Sequence, residues 1–323
     1  MAEYDVVIPM AKKDIGFIKK VIGYVKRYLV GCNKIFIITN QECIAKLKSS
    51  VSDAHVELLN ENTLIPGLSF CSVKKYMQEK GETCPHVGWY FQQFLKFAFA
   101  YTEHCKGYYL TWDADTLPLK PICFFEEERP LFTTKFEYHK PYFSTIEKLT
   151  GMTKTTDFSF IAEHMLFRKD LVIELVNLIG NGKVEGENWV QKCINACDDL
   201  SIPSFSEFET YGTYVWSTYP GLYGTQRLNT FRSAGFIKGR WIDEKTLNVM
   251  SFDLDTASFE LGHEPVFPYN LPNIYYRWKG KCQKVASLRI IDVITILITK
   301  LKSCFNLYKK DNALNINKIT GGG

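Results

Sequence analysis

Short apolar runs alternate with helical stretches over the first third of this sequence, and that alternation restricts the fold more than any other feature. The strand-like runs are residues 4–9 (YDVVIP), 34–39 (KIFIIT), 55–59 and 108–112 (YYLTW), and the helical stretches are residues 12–29, 41–49 and 88–104. Parallel strands need a long crossover connection, which is usually a helix. The pattern therefore predicts an α/β fold with a parallel sheet.

Helical patterns dominate the rest of the chain. The predicted elements are strands over residues 131–136 and 246–252 and helices over residues 169–179, 187–197 and 205–217. A chain of 323 residues has room for one large domain or two small ones. Its net charge of +4 is too small to indicate a nucleic-acid partner, and we expect none.

Ten cysteines are scattered along the chain without a CxxC pair, so a zinc ribbon is not expected. Cys193 and Cys197 lie four residues apart, a spacing that places both on one face of a helix. The N-terminus lacks the basic and apolar regions of a secretory signal. These features predict reduced thiols in a cytosolic protein.

Two acidic residues, Asp113 and Asp115, come directly after the predicted strand over residues 108–112. At the end of a strand, both carboxylates can turn toward the crevice at the carboxyl edge of the sheet, where open α/β folds bind ligands. Carboxylate oxygens suit Mg²⁺ and Mn²⁺, which keep open positions for phosphate oxygens. We therefore expect a divalent cation here that neutralises a diphosphate leaving group.

The order of four motifs resembles the GT-A type of glycosyltransferase, and more specifically a bacterial family associated with surface-polysaccharide genes such as those for capsule and lipopolysaccharide. The motifs are GWYFQQFLK, YYLTWDADTLPLKP, FSFIAEHMLF and FSEFETYGTYV, and the similarity spans residues 4–268. The resemblance implies a GT-A catalytic domain over residues 1–270, a Rossmann-like α/β fold with a C-terminal helical extension. It also implies metal-dependent hexosyl transfer from a nucleotide-sugar, with UDP expected, to a surface-glycan or lipid-linked saccharide acceptor.

The same resemblance implies roles for individual residues. Those expected to contact the nucleotide, the phosphates or the donor sugar are Pro9, Met10, Asn40, Gln93, Lys96, Asp113 and Ala114. Asp115 is expected to bind the metal, with Asp113 shared between metal and ribose. GT-A enzymes often complete the metal shell with a late histidine, and His263 suits that position. His164 is the competitor, although its apolar surroundings favour a hydrogen-bonded core histidine.

An inverting transfer needs a carboxylate base within reach of the acceptor hydroxyl. The candidates are Glu207, Glu209, Glu163 and Asp157, with Glu207 favoured. Glu207 and Glu209 are two residues apart, so on a helix only one of them can face a pocket. Glu163 lies in an apolar run, where burial would raise its pKa. In a retaining transfer no such base exists, and the donor phosphate accepts the proton.

The composition changes toward the C-terminus. Residues 275–310 carry nine basic residues and one acid, and their apolar positions share one helical face. A basic amphipathic helix of this kind is attracted to anionic membrane surfaces. We therefore predict a helical tail over residues 271–310 that places the protein peripherally on the inner face of the cell membrane. Residues 311–323 are predicted to be disordered.

Two other functions compete with glycosyl transfer. A sugar-nucleotide nucleotidyltransferase would need a Gly-rich basic loop after the first strand, but residues 10–16 (MAKKDIG) have no glycine cluster. A non-catalytic carbohydrate-binding protein would be consistent with the aromatic content of 15%. It would not explain two carboxylates placed for a metal.

Overall fold

The computed structural model describes residues 3–49, 51, 53–81 and 85–271. The chain divides into a unit of residues 1–265 and a unit of residues 266–323. The architecture below is that of the first unit. In the second unit, residues 266–271 form turns closed by backbone hydrogen bonds. The predicted helical and disordered tails lie, apart from residue 271, outside the described residues and stay predictions.

The strands are short, and the longest belong to one sheet. In chain order they are β1 (Tyr4–Pro9), β2 (Leu29–Val30), β3 (Cys32–Thr39), β4 (Val56–Asn60), β5 (Tyr108–Trp112), β6 (Thr116–Pro118), β7 (Ile122–Cys123), β8 (Phe125–Glu126), β9 (Arg129–Thr133), β10 (His164–Arg168), β11 (Gly224–Gln226), β12 (Thr230–Phe231) and β13 (Thr256–Ser258).

Helices connect most of the long strands. They are α1 (Ile18–Tyr28), α2 (Gln41–Lys48), α3 (Phe70–Lys80), α4 (Val87–Ala98), α5 (Lys140–Thr150), α6 (Lys169–Asn181), α7 (Trp189–Ala196), α8 (Glu207–Thr218), α9 (Gly235–Lys238) and α10 (Glu244–Met250). Single 3₁₀ turns cover Lys12–Asp14, Phe99–Tyr101 and Gly239–Trp241. Among the described residues, no helix is both long and apolar enough to cross a membrane.

The main sheet has five strands in the order β10-β5-β1-β3-β4. Neighbouring strands from β5 to β4 are parallel, and β10 runs antiparallel at the β5 edge. The carboxyl ends of β1, β3 and β5 therefore lie at one edge of the sheet. The predicted α/β class is confirmed, with a mainly parallel sheet.

Both faces of the main sheet are covered, because its strands alternate their side chains between two hydrophobic layers. In β1, Val7 packs into a layer with α3, α4, α6, α7 and α8. Its neighbours Val6 and Ile8 pack into the opposite layer with α1 and α2. Burial on both faces explains why the central strands read as unbroken apolar runs in the sequence.

A small sheet holds the chain immediately after β5. Strand β13 pairs antiparallel with β6 and parallel with β12. The Phe259 amide donates to the Asp115 carbonyl at 2.8 Å, and the hydroxyls of Thr116 and Ser258 lie 2.8 Å apart. Residues from the C-terminal part of the unit thereby fix the backbone on which Asp115 stands.

The prediction of a late strand over residues 246–252 is wrong, because this segment lies mostly in α10. Asp243 caps the helix by accepting a hydrogen bond from the Thr246 amide at 2.9 Å. Leu247 is the buried residue of the helix, whereas Val249 is 60% exposed. A cap followed by a single apolar face is typical of a helix. This pattern decides the structure of the segment, although its apolar composition favoured a strand.

Three helices were not predicted from the sequence, namely α3, α5 and the four-residue α9. The first two have clear boundary signals. Ser69 begins α3 with a capping box to Ser72, and α5 ends at Gly151, whose φ of 74° is left-handed. Both are recognisable helix boundaries. The strand predicted over residues 131–136 is shorter in the structure and ends at Thr133.

Candidate active site

The acidic pair lies at the carboxyl edge of the main sheet, immediately after β5. The Asp113 amide donates to the Glu163 carbonyl at 3.0 Å, and the Thr116 amide donates to the Asp113 carbonyl at 3.2 Å. These bonds hold the turn between β5 and β6 from two sides. The side chains of Asp113 and Asp115 consequently project from a fixed backbone.

A cavity of about 370 Å³ opens at this edge. Its walls come from the end of β1 and the 3₁₀ turn after it, from α4, from the β5–β6 turn, and from the N-terminal ends of α5 and α8. The lining residues are Pro9, Lys13, Asp14, Trp89, Gln92, Gln93, Lys96, Asp113, Ala114, Asp115, Tyr142, Ile161, Ala162, Ser206, Glu207, Phe208 and Glu260. Five of the seven residues expected at the donor are therefore brought together with Asp115 and Glu207.

Lys96 joins two of these carboxylates. Its Nζ lies 2.8 Å from Glu207 Oε1 and 3.2 Å from Asp113 Oδ1. The same ammonium lies 4.1 Å from the centroid of the Phe208 ring, a cation–π contact. Gln93 stands beside Glu207 and, with its amide nitrogen turned toward that carboxylate, donates to it. Glu207 and Lys96 are buried, whereas the Asp113 side chain is 40% exposed.

The charges of this cluster do not cancel. One ammonium faces two carboxylates, so the three groups carry a net negative charge when all are ionised. Burial raises the pKa of Glu207 more than Lys96 lowers it, and repulsion from Asp113 adds to the increase. The two carboxylates in turn raise the pKa of Lys96 despite its burial, so this lysine stays protonated. The raised pKa makes Glu207 a more basic carboxylate than a free glutamate, as an acid–base role needs.

The other end of the cavity is acidic. Burial, together with repulsion from Asp113 and Asp14, raises the pKa of Asp115 to about 7. Asp14 is paired with Arg240 at 2.5 Å, but the Asp115 carboxylate has no hydrogen-bond partner among the described residues. Glu260 lines the same end. An uncompensated carboxylate beside a second one fits a cation that takes its other ligands from water and phosphate, as Mg²⁺ usually does.

The predicted three-residue metal shell is not assembled. Among the described residues, no group of three or more His, Cys, Asp or Glu side chains could hold a metal ion. The His263 ring instead stacks on Phe236 at 4.5 Å and contacts Gly235. Its Nε2 lies 4.0 Å from Glu260. The turn after β13 thus places the His263 ring on α9, and its role as a metal ligand stays a prediction.

Two further residues expected at the nucleotide lie outside the cavity lining. Asn40 caps α2, because its Oδ1 accepts a hydrogen bond from the Cys43 amide at 2.9 Å. Met10 is buried beneath the edge, and its carbonyl accepts from the Thr39 hydroxyl at 2.7 Å. Both residues follow a parallel strand as predicted. The Asn40 side chain caps a helix and the Met10 side chain packs in the core, so neither lines the cavity.

Glu163 has the opposite electrostatics to those expected. Although burial alone would raise its pKa, Lys135 and Arg232 together lower it to about 2. Lys135 Nζ lies 2.7 Å from Glu163 Oε1, and Arg232 pairs with the same oxygen. A carboxylate held ionised between two cations is a weak base. Glu163 also lies outside the cavity lining, so the structure does not support it as the catalytic base.

Glu163→Gln is expected to cost about 3 kcal/mol of unfolding free energy at pH 7, because it leaves two partly buried cations without their shared anion. The lowered pKa makes this contribution fully present above pH 4.5, and it is lost as the pH falls toward about 2. Urea unfolding at pH 7 and pH 3 measures the difference. Glu137→Gln is the matched control, since Glu137 pairs with Arg232 at the surface. An equal loss in both variants would contradict the prediction.

The remaining candidates serve the core or the surface. Glu209 is buried, and its Oε1 accepts from the Phe160 amide at 2.8 Å, so Glu207 and Glu209 diverge as expected from their spacing. His164 is a core histidine: its ring stacks on Trp112, its Nε2 lies 2.8 Å from the Thr133 hydroxyl, and burial lowers its pKa to about 4. Asp157 is exposed and outside the cavity lining.

Several cavity residues were not singled out from the sequence. They are Lys13, Asp14, Trp89, Gln92, Tyr142, Ser206 and Glu260. Helical spacing would have found Trp89 and Gln92, which lie on the α4 face of Lys96, seven and four residues before it. No local pattern marks Tyr142 or Glu260, because they reach the cavity through tertiary packing.

The chain belongs to a family of unknown function, DUF6492, whose family model matches residues 7–235. The family description assigns no activity, so the predicted membership of a bacterial surface-polysaccharide family stays a prediction. No curated protein matches the chain. The chain is similar to the crystal structure of mouse xyloside xylosyltransferase 1 in its apo form, with 11% identity, coverage of 81% of this chain and 99% of that chain, and a TM-score of 0.43. A likeness this weak does not bear on activity.

Proposed function

We propose that this protein is a glycosyltransferase that moves a sugar from a nucleotide-sugar to a saccharide acceptor. One observation carries the proposal: Asp113 and Asp115 stand at the carboxyl edge of a parallel sheet and open into the cavity that holds Lys96 and Glu207. Ligands of open α/β sheets bind at this edge. A charged diphosphate and a polar sugar suit a cavity lined by carboxylates, amides and a lysine.

The proposed donor is a UDP-sugar bound with Mn²⁺ or Mg²⁺. Asp113 and Asp115 would hold the ion, which supplies positive charge to the diphosphate leaving group. Lys13 lines the same cavity, and its side-chain ammonium makes no hydrogen bond or ion pair among the described residues, which leaves that ammonium for the phosphates. Pro9 and Asp14 lie on the wall that is left for the nucleoside.

Glu207 is the proposed base of an inverting transfer. Its carboxylate takes the proton of the acceptor hydroxyl as that oxygen bonds to the anomeric carbon. The bond from the anomeric carbon to the phosphate oxygen breaks, and the nucleoside diphosphate leaves with the electron pair. Lys96 stays protonated throughout and holds Glu207 in position. Retention of configuration in the product would exclude this role for Glu207.

Nucleotide binding tests the proposal. Thermal unfolding is measured with UDP, GDP and CMP, each with and without Mn²⁺, because a ligand at 100 times its Kd adds about 2.7 kcal/mol of stability. A shift with one nucleotide in Mn²⁺, followed by hydrolysis of its sugar conjugates, supports a glycosyltransferase. If no nucleotide raises Tm in any divalent metal while a saccharide does, the protein binds carbohydrate without catalysis.

The proposed acceptor is a growing surface glycan, lipid-linked, at the cytoplasmic face of the cell membrane. This part of the proposal depends on the basic segment over residues 275–310, which lies outside the described residues. A membrane-bound segment would bring the cavity to a lipid-linked saccharide.

The full chain is expected to sediment with vesicles containing anionic phosphatidylglycerol and to stay in solution with phosphatidylcholine alone. Each basic residue near an anionic surface adds about 1 kcal/mol. Changing four lysines of the segment to glutamate (Lys300, Lys302, Lys309 and Lys310) should abolish sedimentation. The matched control reverses four exposed lysines of the first unit: Lys12, Lys19, Lys74 and Lys75. Equal sedimentation of both variants would contradict the prediction.

A further inference from the structure

Two aromatic side chains form one wall of the cavity. Trp89 comes from the first turn of α4 and Tyr142 from the first turn of α5, and both are half-buried. Their ring planes are parallel within 7°, with centroids 6.3 Å apart. We call this pair the aromatic wall. It has no part in the chemistry proposed above.

The aromatic wall is supported from behind. The Trp89 ring meets Tyr90 edge-on at 5.0 Å, and the buried Tyr90 hydroxyl donates to the Ile202 carbonyl at 2.9 Å. Tyr142 packs against the His139 ring at 4.4 Å. These neighbours fix the two rings without hiding them from the cavity, so the wall exists before any ligand binds.

The polar ends of the wall are available. Neither the Trp89 indole N–H nor the Tyr142 hydroxyl has a hydrogen-bond partner within the part of the chain that the structure describes. A buried or half-buried Trp or Tyr usually finds such a partner in the protein. An aromatic face with an adjacent donor is suited to a pyranose ring, whose C–H groups pack on the face while its hydroxyls form hydrogen bonds.

The position of the wall along α4 separates it from the phosphate end. Trp89 lies seven residues before Lys96, and at a rise of about 1.5 Å per residue this is about 10 Å along the helix axis. Lys96 contacts Asp113 at 3.2 Å, which marks the metal and phosphate end. Gln92 and Gln93 fill the interval with amides. Trp89 is thus about 10 Å along α4 from the metal and phosphate end. This distance leaves room for the donor sugar between them.

We infer that the aromatic wall binds a pyranose ring of the saccharide acceptor and orients its hydroxyl toward Glu207. That the bound sugar is the acceptor rests on the proposed function. The stacking of a pyranose on the two rings does not depend on it. Trp89 is a specificity-determining residue in this view. The wall presents two ring faces, one indole N–H and one hydroxyl, so it selects for ring shape and for the axial or equatorial placement of hydroxyls.

The test uses methyl glycosides of glucose, galactose, mannose, N-acetylglucosamine and xylose as probes. Saturation-transfer NMR reports which sugar protons touch the protein, even for millimolar affinities. We expect transfer to ring C–H protons with the parent chain and with Trp89→Phe, which keeps an aromatic face. Trp89→Ala should lose at least 80% of that transfer. Tyr142→Ala gives a second, independent loss if Trp89→Ala does not fold.

The outcomes separate the inference from the proposed function. Absence of ring-proton transfer for all five probes, or unchanged transfer in both alanine variants, overturns the inference even when UDP and Mn²⁺ still raise Tm. If ring-proton transfer depends on Trp89 but no nucleotide changes Tm, the aromatic wall is supported as a saccharide site. The same result contradicts the glycosyltransferase proposal. Leu178→Ala, an exposed apolar change outside the cavity lining, is the matched control.

Discussion

Asp115→Asn is expected to reduce glycosyl transfer at least about 100-fold while the folded protein becomes no less stable. The carboxylate is the proposed metal ligand, and a neutral amide holds Mn²⁺ or Mg²⁺ far less well. At the same time, the substitution removes a charge that is partly buried and repelled by Asp113 and Asp14. We expect a gain of about 1 kcal/mol in unfolding free energy at pH 7. Functional sites often carry such a local cost in stability.

The two halves of this prediction are measured separately. Turnover of a UDP-sugar in Mn²⁺ reports activity, and urea unfolding without metal reports stability. Asp157→Asn is the matched control, because it makes the same change at an exposed position outside the cavity lining. Its activity and stability should equal those of the parent. Full activity in the Asp115→Asn variant would show that the acidic pair is not part of the donor site.

Lys96→Met is expected to lower the free energy of unfolding by about 3–5 kcal/mol at pH 8, because it leaves Glu207 buried and without its cation. Methionine preserves most of the buried side-chain volume, so lost packing contributes little. The loss should shrink as the pH falls. Glu207 and Asp113 already have raised pKa values, and without the ammonium they bind protons at still higher pH and regain neutrality.

A second substitution distinguishes charge from packing. The double variant Lys96→Met with Glu207→Gln removes both charges of the closest pair, and we expect it to recover at least half of the lost stability. Lys74→Met, at an exposed position of α3, should change the unfolding free energy by less than about 0.5 kcal/mol. Urea unfolding at pH 6 and pH 8 measures all three. A single-variant loss below 1 kcal/mol at pH 8 would contradict the prediction.

Local patterns predicted the main sheet and most of its helices because period and burial are properties of short segments. Strand β5 and helix α8 lie where the sequence predicts them. Cys193 and Cys197 are both buried, but α7 ends at Ala196 and Cys197 follows it in extended conformation, so the two do not share a helical face. The seven cysteines within the described ranges are free, and the predicted cytosolic setting stays a prediction. Prediction was wrong for residues 246–252, where an apolar composition concealed a capped helix.

The sequence by itself determined that Asp113 and Asp115 follow a buried strand, and a parallel sheet then brings them to its carboxyl edge. Only the tertiary structure decided which charges they meet. Lys96 precedes Asp113 by 17 residues and Glu207 follows Asp113 by 94 residues, yet the Lys96 ammonium contacts both carboxylates. The same packing placed Lys135 and Arg232 beside Glu163 and the His263 ring on Phe236. Side-chain electrostatics depend on neighbours that are distant in the chain, and no spacing rule encodes them.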